Sequence, residues 1–200
     1  ALNAGIIHYS TDYVFDGSAS RPYTEEDQTS PESVYGRTKL DGENAVLTNC
    51  NNALVLRTSW VYSMHGQNFL RTMLRLAAER DELTVVGDQV GSPTTTRALA
   101  DATLKLVQYF ILNGKFTDPV SGVYHMTCGG QASWCDFARA IIAASEYSDT
   151  RVLDITTADY PTAAKRPAYS VLSNNKLYDT FGIRLPDWET ALDQCMQKID

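Results

Sequence analysis

The chain has 200 residues, of which 44% are hydrophobic, and this is enough to bury a substantial core as one domain or two small ones. Its net charge of −7 argues against a nucleic-acid-binding protein, because neutralising phosphates requires a basic face. No stretch approaches the ~18 apolar residues of a membrane span, and the first residues lack the basic region of a signal peptide.

Strands and helices are predicted to alternate in the first half of the chain. Ala4 to Ser10 is an apolar run typical of a buried parallel strand, and a polar loop follows over residues 11–30. A helix is predicted from Pro31 to about Asn49, because proline suits the first turn of a helix. The next predicted elements are a strand over Ala53–Thr58, a helix over Asn68–Arg80 and a strand over Leu83–Val86.

The alternation continues in the second half. Ser133 and Asp136 have the spacing of a capping box and predict a helix that ends near Ser145. An ordered loop is predicted from Asp154 to Leu172. The other predicted elements are a helix over Thr95–Leu112, strands over Gly122–Thr127 and Arg151–Ile155, and a helix over Asp187–Ile199. This order predicts an α/β fold with a parallel sheet.

Tyr35 and Lys39 lie four residues apart in the predicted helix and therefore on one helix face. A free tyrosine, with a pKa of roughly 10, is a poor proton donor at neutral pH, and a nearby ammonium favours the phenolate. A hydroxyl from the end of the preceding strand, Ser10 or Thr11, can hold a carbonyl oxygen beside the phenol. A carbonyl reductase needs these parts to deliver a proton while a cofactor supplies hydride. By itself the spacing also fits a solvated lysine packed on an aromatic ring.

Longer motifs carry a resemblance to a known family. They are YSTDYVFDG (residues 9–17), PESVYGRTKLDGE (31–43), RTSWVY (57–62), DQVGSPT (88–94) and RPAYSVL (166–172). In this order they resemble the dTDP-4-dehydrorhamnose reductase family of the extended short-chain dehydrogenases/reductases, over nearly the whole chain. One departure is that the family's amino-terminal Gly-rich nucleotide loop is absent.

The resemblance implies catalytic and cofactor-binding residues. Tyr35 is implied as the proton donor and Lys39 as its electrostatic partner, while Thr11 supplies the hydroxyl that polarises the C4 carbonyl. The implied contacts to the cofactor are Tyr9, Tyr35 and Lys39. We expect NADPH, and NADH stays open because the discriminating loop would lie upstream.

The resemblance also implies a dTDP-sugar substrate, dTDP-4-dehydro-L-rhamnose. Asp12 is expected to accept hydrogen bonds from sugar hydroxyls, and Trp60 is expected to form a wall of the substrate site. An anionic substrate needs local cations, for which Lys39, Arg57 and Arg166 are candidates, and Arg166 can pair with a diphosphate.

The implied fold is a Rossmann-like doubly wound parallel sheet, of which this chain holds the carboxy-terminal part, with a smaller α/β substrate-binding lobe. We expect residues 1–85 to be mainly the Rossmann portion and residues 86–200 mainly the lobe, with Rossmann elements interleaved. Because the chain begins without Met and without the Gly-rich loop, we expect residue 1 to lie inside a longer protein, and the fragment to be inactive alone.

The four cysteines form no C-x-x-C pair and the three histidines have no metal-ligand spacing. No metal site is therefore predicted, and four reduced thiols in a cytoplasmic protein are expected. The oligomeric state stays open, with a homodimer as one alternative.

Two other functions fit the same motifs. One is a non-catalytic relative that binds a partner enzyme, as the regulatory subunit of methionine adenosyltransferase does. The other is a sugar-nucleotide epimerase or dehydratase of the same superfamily. The joint presence of Thr11, Tyr35 and Lys39 favours catalysis, and Tyr13 stands where dehydratases usually have an acidic residue.

Overall fold

The structure, a computed structural model, describes residues 4–113, 120–162 and 166–197. The elements up to the middle of the chain are β1 (Ile6–Thr11), α1 (Val34–Asn49), β2 (Ala53–Thr58), β3 (Val61–Tyr62), α2 (Phe69–Ala77), β4 (Glu82–Val86), β5 (Val90–Gly91), β6 (Thr94–Thr95) and α3 (Thr96–Asn113). Those that follow are β7 (Gly122–His125), β8 (Ala132–Ser133), α4 (Trp134–Ala143), β9 (Arg151–Ile155), α5 (Asn175–Phe181) and α6 (Trp188–Met196).

β1, β2 and β7 form a parallel sheet with β2 in the centre. All six residues of β2 are buried, as expected for a strand with covered faces. Leu54 and Leu56 belong to a large apolar core together with Leu106 of α3, whereas α1 packs on β1 and β2. This arrangement, with β7 coming from the second half of the chain, confirms the predicted α/β class with a parallel sheet.

Three further strand pairs complete the described fold. β4 pairs with β9 and β3 with β6, both in parallel, while β5 and β8 are antiparallel. Helix α4 packs on α2, β4 and β9, and its Phe137 and Ile141 join the large core. Residues from both halves of the chain contribute to this core. The predicted division into a Rossmann portion (residues 1–85) and a substrate-binding lobe (residues 86–200) stays a prediction.

Several predicted boundaries need correction. Helix α1 begins at Val34 and not at Pro31, because the Ser33 hydroxyl accepts the backbone N–H of Gly36 at 3.0 Å and caps the helix there. Asn68 caps α2 in the same way, through the N–H of Arg71. The capping box of Ser133 and Asp136 is confirmed. Residues 163–165 of the predicted loop, and the end of the predicted last helix after residue 197, lie outside the described residues.

The polar loop after β1 is better ordered than its composition suggests. It opens with a short 3-10 helix, Asp12–Val14, and its Phe15 stacks on Tyr23 with ring centroids 4.2 Å apart. Val14, Phe15 and Tyr23 form a small second core with Leu172. The loop is therefore fixed against the carboxyl end of β1, where the predicted site residues lie.

Candidate functional site

Thr11 is held at the point where β1 ends. Its Oγ1 accepts the backbone N–H of Tyr13 at 3.2 Å and donates to Oδ1 of Asp12 at 3.0 Å. The first bond caps the 3-10 helix and fixes the direction of the Thr11 side chain. For Thr11 to donate to a substrate oxygen, its hydroxyl has to rotate away from Asp12.

Tyr35 lies in the first turn of α1, which approaches the loop after β1 very closely at Gly36. A Cβ atom at position 36 would lie 2.2 Å from the carbonyl oxygen of Tyr13, so only glycine fits there. The Tyr35 ring meets the Tyr13 ring edge-on, with centroids 5.8 Å apart. With 55% of its surface exposed, Tyr35 is accessible to a ligand at the carboxyl end of β1.

Lys39 joins the same helix directly to β1. Its Nζ donates a hydrogen bond to the backbone carbonyl oxygen of Tyr9. The Tyr9 side chain points to the other face of the sheet, where its hydroxyl bonds to Oγ1 of Thr103 on α3. The structure thus places Thr11, Tyr35, Lys39 and the backbone of Tyr9 at one strand end, which is where ligands bind in open α/β sheets, whereas the Tyr9 side chain lies on the other face.

Asp12 is almost completely buried, with 2% exposure. Its oxygens are engaged by Thr11 and by the hydroxyl of Ser59 at 3.0 Å, and Ser170 also hydrogen-bonds to it. Burial raises the pKa of Asp12 to about 6, although these hydrogen bonds favour the ionised form. The expected contact with sugar hydroxyls stays a prediction, and it requires this carboxyl group to become exposed.

Trp60 lies between β2 and β3 and has an unusual backbone, with a φ of 45°. Its indole stacks on Trp134 with centroids 3.5 Å apart and ring planes within 5°. A Cβ atom at position 91 would lie 2.5 Å from the indole, so Gly91 makes room for it. The expected contact of Trp60 with substrate stays a prediction, and Trp134 is a second candidate that the sequence analysis missed.

A pocket of about 300 Å³ extends from Trp134 towards Arg166. Phe69, Gln89, Tyr160 and Thr162 are among its other lining residues. The Arg166 guanidinium is exposed and lies 6.0 Å from the centroid of the Trp134 ring. Aromatic faces beside an exposed guanidinium can hold a planar base and an anionic group.

The expectation that Arg57 serves as a cation for the substrate is wrong. Arg57 is buried and forms a two-point ion pair with Glu43 of α1, with Nε–Oε1 and Nη2–Oε2 distances of 2.9 and 2.7 Å. Nothing in the helix sequence indicates that Glu43 is buried. The signal that could have found it is Arg57 itself, because a charge inside an otherwise apolar strand needs a buried partner.

Within the described parts of the chain, no three His, Cys, Asp or Glu side chains are grouped as a metal ion would require. Cys50, Cys128, Cys135 and Cys195 all have free thiols. Among the same residues, no helix is long and apolar enough to cross a membrane.

Comparisons with known proteins agree on one family. A family model described as the RmlD substrate binding domain matches residues 1–200. A dTDP-4-dehydrorhamnose reductase of Burkholderia thailandensis is 48% identical over 203 residues, which is 96% of this chain and 67% of that protein.

Two crystal structures are also closely similar. A dTDP-4-dehydrorhamnose reductase of Clostridium acetobutylicum has a TM-score of 0.89 and 42% identity, covering 97% of this chain and 65% of that one. The enzyme of Bacillus anthracis, solved in complex with NADP, has a TM-score of 0.86 and 35% identity, covering 98% and 66% of the two chains. The chain therefore spans about two thirds of the length of these relatives.

Proposed function

The chain belongs to the RmlD substrate binding domain family, and from this premise we propose that it forms the carboxy-terminal two thirds of an NADPH-dependent reductase. The reaction is reduction of the C4 keto group of dTDP-4-dehydro-L-rhamnose to dTDP-L-rhamnose, a step of nucleotide-sugar and polysaccharide biosynthesis. In the intact protein, a preceding segment would complete the nucleotide-binding half.

One observation carries the proposal, namely the bond from the Lys39 ammonium to the carbonyl of Tyr9. It fixes the helix with Tyr35 and Lys39 against the strand that ends in Thr11. A phenol, an ammonium and a hydroxyl then lie at one strand end, where Tyr35 is exposed and Thr11 is buried at 5% exposure. This set can orient a ketone, stabilise charge on its oxygen and give that oxygen a proton.

The donors at this strand end fit the ribose next to a nicotinamide. The Lys39 ammonium has three protons, and its described bond to Tyr9 uses one of them. Tyr35 is exposed on the same helix, at 55%, whereas the Tyr9 side chain, 38% exposed, lies on the other face of the sheet. When bound, NADPH supplies the hydride, while Tyr35 gives the proton to the substrate oxygen and Thr11 holds that oxygen in place.

The pocket at Trp134 and Arg166 supports a nucleotide-sugar substrate. Trp134 and Phe69 offer aromatic surface for a base, with ring centroids 4.6 Å apart, and the Arg166 guanidinium is available to a diphosphate. Trp60 reaches the same region through its stack on Trp134. In this proposal Trp60 supports Trp134 in the pocket wall, and Asp12 accepts hydrogen bonds from sugar hydroxyls once substrate binding exposes its carboxyl group.

The test is an assay of the intact protein with NADPH and dTDP-4-dehydro-L-rhamnose, in which NADPH oxidation and the sugar product are both measured. We expect one NADPH consumed for each dTDP-L-rhamnose formed. An epimerase would interconvert sugars without net NADPH consumption. A regulatory subunit would show no turnover, and either result would refute the proposal.

We extend the proposal to a cytoplasmic location, which four free thiols support because such thiols persist in reducing compartments. A homodimer is the assembly to test first, by sedimentation of the intact protein over a range of concentrations.

A further inference from the structure

The helix that carries Tyr35 and Lys39 buries little apolar surface. Of the sixteen residues of α1, all of which the structure describes, only Gly36 and Glu43 are buried. Its first two apolar side chains, Val34 and Tyr35, are 68% and 55% exposed. Helices are normally held by an apolar face, and here only Leu40, half-buried against the second core, packs on a core cluster, so further attachment of α1 must come from elsewhere.

Glu43 supplies further attachment, in addition to the bond from Lys39 to the carbonyl of Tyr9. Its side chain is 2% exposed, and its carboxylate bonds Arg57 of β2 through both oxygens, at 2.9 and 2.7 Å. Oε1 also accepts the hydroxyl of Ser10, the residue next to Thr11 on β1. One carboxylate thus ties α1 to two adjacent strands of the sheet.

Arg57 is in turn fixed from several directions. Ser10, Arg57 and His125 are in register across β1, β2 and β7, so the arginine lies in the middle of a polar row. Its guanidinium carbon lies 5.2 Å from the centroid of the Phe15 ring in the loop after β1. The guanidinium therefore has little freedom to shift.

Glu43 follows Lys39 by four residues and Tyr35 by eight, so all three lie on one side of α1. Along the helix axis, Glu43 is about 6 Å from Lys39 and about 12 Å from Tyr35. Movement of the helix at Glu43 would therefore displace both predicted catalytic side chains relative to Thr11.

We propose that Glu43 and Arg57, the buried ion pair of this site, are positioning residues that hold Tyr35 and Lys39 against the strand end carrying Thr11. This proposal rests on the proposed function, because it assigns Glu43 and Arg57 a role in the reductase reaction. Neither Glu43 nor Arg57 is accessible to a ligand. They act only through the placement of α1.

A positioning role can be separated from a purely stabilising one. Replacing a buried ion pair by apolar residues of similar size often leaves a protein as stable as before, whereas removing one partner leaves a buried charge. The informative variant is therefore the double change Glu43→Leu/Arg57→Met. Its matched control is Arg75→Met/Glu79→Leu, which removes an exposed Arg–Glu pair of 3.6 Å distance at α2.

Hydrogen exchange and steady-state kinetics are both measured on the intact protein. For the buried double variant we expect amides of residues 35–43 to exchange about tenfold faster or more, with β2 amides unchanged. We expect kcat to fall about tenfold to a hundredfold, with the KM for the sugar nucleotide within about twofold. The control should change neither measurement.

Two results would overturn the proposal. One is unchanged hydrogen exchange of α1 in the double variant. The other is an unchanged kcat of the double variant, provided that the native protein is an active reductase. If the native protein has no reductase activity, the proposed function fails, and the exchange measurement still decides whether the pair holds α1. If the double variant does not fold, Arg57→Lys replaces it, because lysine keeps the charge and loses the two-point geometry. The same two measurements then apply.

Discussion

The Nζ of Lys39 donates a hydrogen bond to the backbone carbonyl of Tyr9, thirty residues earlier in the chain. This bond joins the middle of α1 to the end of β1, although the polar loop between them is long. Because the acceptor is a backbone atom, substitution of the Tyr9 side chain should leave the bond in place. The relative position of Tyr35 and Thr11 therefore depends on the backbone of β1 and on the side chains that α1 directs at it.

Tyr35→Phe should nearly abolish reduction while leaving NADPH binding within about twofold. The ring and its edge-on contact with Tyr13 remain, and only the transferable proton is lost. General acids typically contribute about 10²- to 10⁴-fold, so a loss in kcat of that size is expected in the intact protein. Tyr178→Phe, another exposed tyrosine, is the matched control and should be fully active. Normal turnover of the Tyr35 variant would remove this residue from the mechanism.

Thr11→Val should lower kcat more than it raises KM, because a contact to the developing oxyanion strengthens in the transition state. The expected loss in kcat is about 10²-fold or more. The change also removes the cap on the N–H of Tyr13, which by itself costs about 1 kcal/mol of stability. Thr11→Ser keeps both the cap and the hydroxyl, so it should restore most of the activity. A rise in KM alone would make Thr11 a ground-state contact.

Asp12 should make the free energy of unfolding decrease as the pH rises from about 4 to about 6. Burial raises its pKa from 3.8 in the unfolded chain to about 6 in the folded protein. The stabilising contribution is therefore complete below 3.8 and is lost as the pH rises through 6. Asp12→Asn removes this dependence, which amounts to about 3 kcal/mol at most. Urea unfolding of both proteins between pH 4 and 7 measures it, and parallel curves would contradict the assignment.

His125 should have the opposite effect on stability. Burial, together with the nearby charge of Arg57, lowers its pKa from 6.5 to about 3, so the folded protein keeps the imidazole neutral. The contribution to stability is complete above pH 6.5 and is lost as the pH falls towards 3. His125→Gln should therefore lose less stability than the native protein between pH 7 and pH 4. His65→Gln, at an exposed position, is the control and should follow the native curve.

The placement of the predicted catalytic residues could be anticipated from sequence because it depends on local spacing. Tyr35 and Lys39 are neighbours on one helix, and Thr11 ends the strand before it. The residues that support the site could not be found in this way. Glu43 looks like a solvated acid on a polar helix, and its burial depends on Arg57, fourteen residues later on another element. Ser59 and Ser170 reach Asp12 only after three separate segments have come together.

The same limit explains the elements that the sequence analysis missed. The strands Val61–Tyr62, Val90–Gly91, Thr94–Thr95 and Ala132–Ser133 have two residues each, too few to show a periodicity. Helix Asn175–Phe181 has seven residues, and of these only Leu177 is buried. Longer elements such as β2 and α3 were predicted to within one residue at each end, because each has an extended apolar pattern.

The last prediction concerns residues 1–200 in isolation, which should show no reductase activity and should self-associate. Leu104, Val107 and Ile111 form an exposed apolar strip on α3, at 56%, 36% and 73% exposure. The strip lies near the outer strand β1, where Ile6 is 42% exposed and Tyr9 bonds to α3. An exposed strand edge beside apolar surface favours association with other chains.

Leu104→Lys/Ile111→Lys should therefore shift sedimentation of the isolated chain towards the monomer. This variant should still show no reductase activity, because the pyrophosphate of a dinucleotide normally rests on a Gly-rich turn that this sequence lacks. Val61→Lys, at an exposed position on β3, is the control and should leave self-association unchanged. A monomeric native chain would contradict the first part, and turnover by residues 1–200 with NADPH would contradict the second.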